Sequence, residues 1–572
     1  MASIVGKKKG NQTYYYVVTS GRVNGKPRIT HQTYLGTADR LAQLVRDKAA
    51  PIPLEATARD AGLPAALWQA AQLSGTLDAL LSVWPAPKRG PSIPHFLLLA
   101  AFHRICAPGP KTAVADWYRH SVLADLWGFA PSLFSSQAFW DHFDAIDVSA
   151  ALTEPSSDEL EQAQLALLQA FRARDLVSQR VLAYDTTNFH TWIGTTNTRN
   201  QLAQRGHNKQ KRHDLRQIGL SYALDGQHGL SLCHHVYPGN VTDRDELPAC
   251  LGRITRLLDG ASIPRETVTL VLDKGSAALA NTPALQASGL GWIAALPWDQ
   301  APAALRSPAV EELAAVPGEP GLRVGSEHTL VHGAEYLGVL RHSAGFAAEQ
   351  FQSVTLSLAK ATQKLRVLAR EIGQPRDRHT EQGLRNRIQR WLRPNFVSQA
   401  LSYTLRRGAD RSWDLQFAID AEALHRLLTE RFGRTTLVTN RLDWSAAEVA
   451  TAYNGQQHVE RVFRGLKGGD WLGWGPLHHW TDSKIRVHAF YCLLGVSLMQ
   501  YLYQQAQAAW PLLTMEGLKH ELGQIQRIDL LYPPLGAKGP PRVATITSKQ
   551  TLTQAALVSE LGLEKLLKTD SR

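Results

Sequence analysis

Residues 178–190 read "SQRVLAYDTTNFH" and residues 266–276 read "ETVTLVLDKGS". Each holds a short apolar run that stops at an aspartate: Val181 to Tyr184 before Asp185, and Val268 to Leu272 before Asp273. Short apolar runs rich in β-branched residues and bounded by polar or glycine residues read as buried strands. A carboxylate at the end of such a strand sits at the rim of a sheet, where open α/β sheets hold their ligands. If the two strands are neighbours, both carboxylates face one crevice. Two close carboxylates repel and shift each other's pKa unless a cation sits between them. Either aspartate alone is more simply a turn or cap residue; the pair gains weight only in company.

The surrounding sequence supplies the sheet. "LRQIGLSYALD" (215–225) and "GLSLCHHVYPGN" (229–240) are two further strands, joined by the turn "DGQHG". "VTDRDELPACLGRITRLL" then starts a helix, with Asp243 and Glu246 spaced as a capping box. "GLGWIAALPW" (289–298) is another strand. A three-strand meander, then helix, strand, helix and strand, predicts an α/β fold with helices packed on a mixed sheet. Residues 179–299 are its first part and 441–505 its second.

The stretch 300–440 interrupts that alternation and reads as a basic insertion with strands of its own in "GLRVGSEHTLVHG", "EYLGVLRHS" and "SWDLQFAID". Within it, residues 361–394 carry nine Lys or Arg against three Asp or Glu. Such a stretch is either a solvated face or a surface for a nucleic-acid backbone, with Arg385, Arg387 and Arg390 as contacts. Residues 1–50 form a basic β-hairpin unit whose turn is Asn24-Gly25. Residues 51–178 read as a helical domain, a candidate for binding DNA ends, and residues 506–572 as a helical tail.

Composition narrows the partners. The 572 residues are 44% hydrophobic and carry a formal charge of +12. That excess favours a polyanion, nucleic acid ahead of a membrane surface. The four cysteines lie far apart with no C-x-x-C pair, which suggests neither a zinc site nor a disulfide framework. The apolar segments 95–106 and 489–503 fall short of the ~20 residues of a membrane helix. A cytoplasmic protein with no membrane partner is expected.

Residues 453–468, "YNGQQHVERVFRGLKG", add the third carboxylate. On one helical wheel Val459, Val462, Phe463 and Leu466 share a core side. Tyr453, Gln456, Glu460, Arg464 and Lys467 share a stripe beside it. A Glu–Arg pair at i+4 is common on helix surfaces, but this stripe would bring Glu460 to the sheet rim. Three carboxylates can hold two divalent ions for in-line phosphodiester chemistry, and oxygen-only ligation suits Mg²⁺ or Mn²⁺. The neighbouring cations would grip DNA phosphates.

With these residues in place the sequence resembles the DDE transposases of bacterial insertion sequences, in the branch marked by Tyr-x2-Arg-x3-Glu-x6-Lys. The signature reads Tyr453, Gln456, Glu460, Lys467 with every spacing kept. "LAYDTTNF" and "LVLDKGS" stand where the family carries its two aspartates, at the ends of the first and fourth strands. The resemblance covers roughly residues 180–500. It implies a ribonuclease H-like core in which Asp185, Asp273 and Glu460 bind two Mg²⁺ ions, with Mn²⁺ as a substitute. It also implies Tyr453 and Lys467 on the DNA end. Lys274, Lys209, Lys211 and Arg212 join them as expected DNA contacts, the last three from "GHNKQKRHDLRQIGLSYALD", another family-like stretch.

Gln456 departs from the family Arg, so that phosphate contact is weakened or moved, and Arg464 on the same face is a substitute. If position 456 still faces phosphate, Gln456→Arg should tighten binding. The resemblance further implies binding of double-stranded terminal inverted repeats, end cleavage, joining of 3′-hydroxyls to target DNA, and a homodimer. Some relatives stack a flipped base on a Trp of the insertion; Trp413 and Trp444 are candidates here, each weighed against an ordinary core role. His190 and His458 lie near the proposed ligands and are read as structural or DNA-facing. Two alternatives stay open: a metal-dependent nuclease without strand transfer, and a non-catalytic DNA-binding descendant. Glycoside hydrolysis by paired carboxylates suits neither the basic charge nor the stripe.

Overall fold

The computed structural model describes residues 2–23, 26–48, 52–148, 158–178, 180–207, 212–273, 281–331, 334–374, 378–534 and 540–567. The Asn24-Gly25 turn lies outside them. The chain divides into two compact units, Met1–Ala65 with His120–Leu126 and Glu521–Arg572, and Ala66–Arg119 with Trp127–His520.

In the first unit, β1 (Ala2–Lys9), β2 (Gln12–Val23) and β3 (Lys26–Thr37) form an antiparallel sheet in the order β1-β2-β3. The expected hairpin is therefore the β2–β3 part of a larger sheet. A further strand, β4 (Glu55–Asp60), pairs with a strand from the other end of the chain, described below.

The second unit is built on one nine-stranded sheet. Its strands are β5 (Val181–His190), β6 (Gln217–Asp225), β7 (Ser231–Pro238), β8 (Thr269–Leu272), β9 (Gly291–Leu296), β10 (Ala314–Ala315), β11 (Leu322–Val331), β12 (Ala334–Ser343) and β15 (Arg434–Thr439); β13 (Leu401–Arg407) and β14 (Trp413–Ile419) form a separate hairpin. The order is β10-β11-β12-β15-β9-β8-β5-β6-β7. β5, β6 and β7 make the antiparallel meander, and β8 and β9 run parallel to β5. β6, β8 and β9 are buried along their whole length, as strands covered on both faces must be. This is a mixed α/β sheet flanked by helices, of the ribonuclease H-like kind.

Helices are numbered here as they bear on that sheet: α1 (Ile93–Cys106), α2 (Glu159–Arg172), α3 (Asp243–Gly260), α4 (Ala344–Ile372), α5 (Glu381–Leu392), α6 (Ala446–Asn454), α7 (Gln456–Gly468) and α8 (Asp482–Ala509). The α3 cap sits one residue earlier than the sequence suggested. Thr242 is the N-cap and its Oγ1 accepts from the Asp245 backbone N–H at 3.3 Å. Glu246 is instead buried, where it accepts from Ser221 Oγ at 2.9 Å and lies 2.8 Å from His235 Nδ1. At 28 residues, α8 is longer than the apolar core 489–503, and by length and composition alone it could cross a membrane. Its most apolar window is 94% buried within the protein, and it packs against α1 and β7.

The stretch expected as an insertion is divided. Residues 322–343 and 434–439 extend the main sheet through β11, β12 and β15. Only the part between them has its own core, in which Leu358, Leu365 and Leu368 of α4 meet Leu384 and Ile388 of α5 and Trp413 of β14. The expected helical tail is also corrected. β16 (Gln526–Tyr532) and β17 (Arg542–Thr547) form a sheet in the order β17-β16-β4, with Asp529 opposite Thr57, before two short helices, Leu552–Glu560 and Glu564–Leu567.

Several histidines of the second unit are buried and held neutral. Burial, aided by Arg104 and Lys111, lowers His103 to about 4, and burial, aided by His235 and Arg486, lowers His234 to about 3. His479 and His488 are pushed in the same direction, chiefly by burial. A histidine whose folded pKa is depressed binds fewer protons folded than unfolded below its free pKa of ~6.5. Its contribution is complete above that pH and is lost as pH falls toward the folded value. Unfolding stability should therefore drop between pH 6.5 and 4, by up to ~1.4 kcal/mol per pH unit for each such histidine. Urea titrations across that range test this; a flat profile would contradict it.

Candidate active site

The register between β5 and β8 creates the site. Tyr184 pairs with Leu272 in parallel as the last rung of that ladder, so Asp185 and Asp273 are the next residues of the two chain segments. Adjacent strands lie ~4.8 Å apart, so two carboxylates at one level share a single rim. Asp185 does not end its strand. β5 continues to His190, paired with β6 through His190↔Gln217, whereas β8 stops at Leu272. Asp185 thus stands where the parallel partner ends. It is half-buried, with Oδ1 accepting from the Thr186 backbone N–H at 2.7 Å, while Asp273 is exposed.

The stripe that reads as one helix is two. α6 ends at Asn454 and α7 begins at Gln456, with Gly455 between them. A Cβ on Gly455 would lie 3.1 Å from Ala452 O and 3.2 Å from the Gly226 backbone, so the β6–β7 turn approaches a bare backbone here. The break lets α6 pack on β11 and β12 while α7 packs on β5 and β6. Val459, Val462, Phe463 and Leu466 are buried, and Glu460, Arg464 and Lys467 are exposed.

Tyr453 lies on α6. Burial raises its phenol first, then the negative charge of Asp273, with Arg341 opposing, followed by Glu460 and Asp185. Arg341 comes from β12. Its guanidinium stands 6.0 Å from the Tyr453 ring and donates to Asn454 Oδ1 at 2.6 Å. Nothing in "LGVLRHS" marks Arg341 locally; only the pairing of β12 with β15 brings it here.

Gln456 requires a correction. It is 4% exposed, and its Nε2 donates to the Tyr184 backbone carbonyl at 3.0 Å. It braces the strand one residue before Asp185 and faces no phosphate, because the helix break turns the first residue of α7 into the sheet. Gln456→Arg should therefore lower the melting temperature without tightening DNA binding, since a buried guanidinium would replace a neutral amide. Thermal melts and DNA titrations of the variant test this; tighter binding would return the position to the DNA.

Lys467 lies 5.8 Å above the Phe189 ring, and Phe189 stacks on Trp474 with centroids 4.2 Å apart. Sequence reading missed both rings, which stand four residues after Asp185 and seven after Lys467. Arg212 is paired with Asp214, Nε to Oδ1 at 2.9 Å and Nη2 to Oδ2 at 2.8 Å, and lies 5.9 Å from the Trp192 ring. Arg385, Arg387 and Arg390 sit on α5, over the separate core of the inserted part. Arg385 pairs with Glu381 at 2.8 Å and Arg387 with Glu371 at 3.2 Å. Lys274, Lys209 and Lys211 lie outside the described residues. Trp413 is 3% exposed and bonded to His379 O, a core residue closed to a base, and Trp444 is half-buried beside Arg441. Burial lowers His458.

Among the described residues no three Asp, Glu, His or Cys side chains already stand close enough together to hold a metal ion. Asp185, Asp273 and Glu460 offer oxygen donors only. That set fits hard divalent cations such as Mg²⁺.

The mixed sheet thus carries Asp185 and Asp273 just beyond the last β5–β8 pair, with Glu460 on a helix packed on β5. The chain belongs to the DDE transposase family: the family description "Transposase DDE domain" matches residues 178–496, more than half of its length, and the chain is a DNA transposase. No curated protein matches it. Among solved structures, a piggyBac transposase synaptic complex with hairpin DNA, seen by cryo-EM, is similar at 9% identity over 82% of each chain. Its TM-score of 0.33 is too low to bear on the assignment.

Proposed function

We propose that the chain binds the terminal inverted repeats of its own insertion sequence, cleaves the DNA ends and joins the freed 3′-hydroxyls to target DNA. The observation that carries this is the parallel Tyr184–Leu272 pair, which ends the β5–β8 ladder one residue before Asp185 and Asp273, with α7, the helix of Glu460, packed on β5. In this reading Asp185, Asp273 and Glu460 hold two Mg²⁺ ions, with Mn²⁺ as a substitute. When bound, such ions supply Lewis acidity to the attacking and leaving oxygens of an in-line displacement.

The remaining work belongs to side chains. Tyr453, held protonated by burial and nearby carboxylates, keeps a hydroxyl to donate to a phosphate oxygen. Lys467, seated on Phe189, and Arg464 offer charge to the DNA backbone on the Glu460 side. Lys274, Lys209, Lys211, Arg212 and the α5 arginines are assigned to outer DNA contacts, and the working form to a homodimer that brings two ends together.

The test mixes purified protein with linear DNA carrying the repeats that flank its gene, in Mg²⁺ and in Ca²⁺, with Asp185→Asn as control. Mg²⁺-dependent cuts at the repeat ends with joined products, and a dead control, are expected. Cuts without joining would favour a nuclease. Repeat-specific binding with no cutting in Mg²⁺ or Mn²⁺ would favour a DNA-binding descendant.

A further inference from the structure

The sheet of β1, β2 and β3 has features that the carboxylate site does not use. Residues 1–38 contain six cations, Lys7, Lys8, Lys9, Arg22, Lys26 and Arg28, and no carboxylate. Every residue of β1 is exposed, and so are the first nine of β3, including Ile4 at 63% and Ile29 at 51%. The helix Ala38–Lys48 packs on β2 and β3, but so one-sided a charge on a sheet with a fully exposed edge strand is shaped for a polyanion.

The registers separate its two faces, because directly opposed residues of an antiparallel pair point the same way. One face is occupied with itself. Lys7 Nζ donates to Gln32 Oε1 at 2.7 Å and lies 5.0 Å from the Tyr16 ring, and Tyr34 stands 5.2 Å from Tyr16 and 6.1 Å from Tyr14. The other face carries polar and cationic groups beside Ile4, Tyr15 and Val17. Lys8 is opposite Thr13, Thr19 opposite His31, Val17 opposite Thr33, and Gly21 opposite Arg28. Short hydroxyl residues let a backbone approach closely, while Arg and His reach the edges of bases.

Dimensions agree. The major groove of B-DNA, ~12 Å wide, admits a two-stranded β-ribbon, and Thr13, Thr19, Arg28, His31 and Thr33 all lie on β2 and β3, neighbouring strands ~4.8 Å apart. We propose that this sheet lies in the major groove of the element's end and reads bases with the face carrying Thr13, Thr19, Arg28, His31 and Thr33. The inference rests on the transposase reading for its DNA, but it concerns recognition rather than cutting.

The test uses the full chain, with labelled duplexes of the terminal repeat and of a scrambled sequence, at two salt concentrations. Arg28→Ala with His31→Ala should weaken repeat binding ~10-fold or more while changing scrambled-DNA binding far less. Lys7→Gln, on the tyrosine face, should leave both nearly unchanged. Lysine acylation of the unmutated chain provides a second readout that needs no variant: repeat DNA should protect Lys8 and leave Lys7 reactive. Undiminished repeat discrimination in the Arg28/His31 variant, or Lys8 as reactive with DNA as without, would overturn the inference. Cutting is scored separately: a chain that discriminates the repeat through this face yet cuts nothing keeps the inference and removes the proposed activity.

Discussion

Glu460→Gln is expected to reduce DNA-end cleavage by about 10³-fold or more while leaving end binding within about twofold. Losing a charged ligand from a phosphodiester site removes several kcal/mol of transition-state stabilisation, and each 1.4 kcal/mol is a factor of ten in rate. Little else changes. Glu460 is exposed, and α7 is held by Val459, Val462, Phe463 and Leu466, all buried on its other side. The amide has the shape of the carboxylate, so the melting temperature should stay within about a degree. A cleavage time course beside a binding titration makes the measurement. Cleavage at the parental rate would take Glu460 out of the metal site, and a parallel loss of binding would make it a positioning residue.

Gly219→Val should cost about 3 kcal/mol of stability and, through the sheet, most of the activity. Gly219 lies in β6 between Asn188 of β5 and Tyr237 of β7. A Cβ there would fall 2.2 Å from a ring carbon of Tyr237, which is 1% exposed and has no room to leave. Overpacking a filled interior costs ~1–3 kcal/mol, and a branched side chain against a trapped ring belongs at the top of that range. Urea unfolding reads the effect directly; an unchanged midpoint would mean that the ring has another place to go.

The core strands were legible because β5, β6, β8 and β9 are short apolar runs bounded by turn residues, a pattern that burial on both faces produces. The two aspartates were legible for the same reason, although the strand end at Asp185 was not. Thr186 to His190 are polar enough to read as loop, and only their pairing with β6 keeps them extended. The break at Gly455 escaped the helical wheel, which assumes an unbroken axis. With it went the place of Gln456, a buried brace rather than a phosphate ligand. β16 pairs locally with β17, but its other partner, β4, lies at the other end of the chain, and no local pattern announces so distant a pairing. Arg341, Phe189 and Trp474 reach the site only through tertiary packing.

The position of Asp185 within a continuing strand has a genetic consequence. Its backbone is held by the β6 ladder on both sides of the carboxylate, so the side chain can be lost without unpicking the sheet. On the proposed function, a copy of the gene that decays at this codon would still make a well-folded protein able to occupy the same DNA ends. Mutational wear would then produce competitors rather than debris, and each dead copy would restrain the live ones.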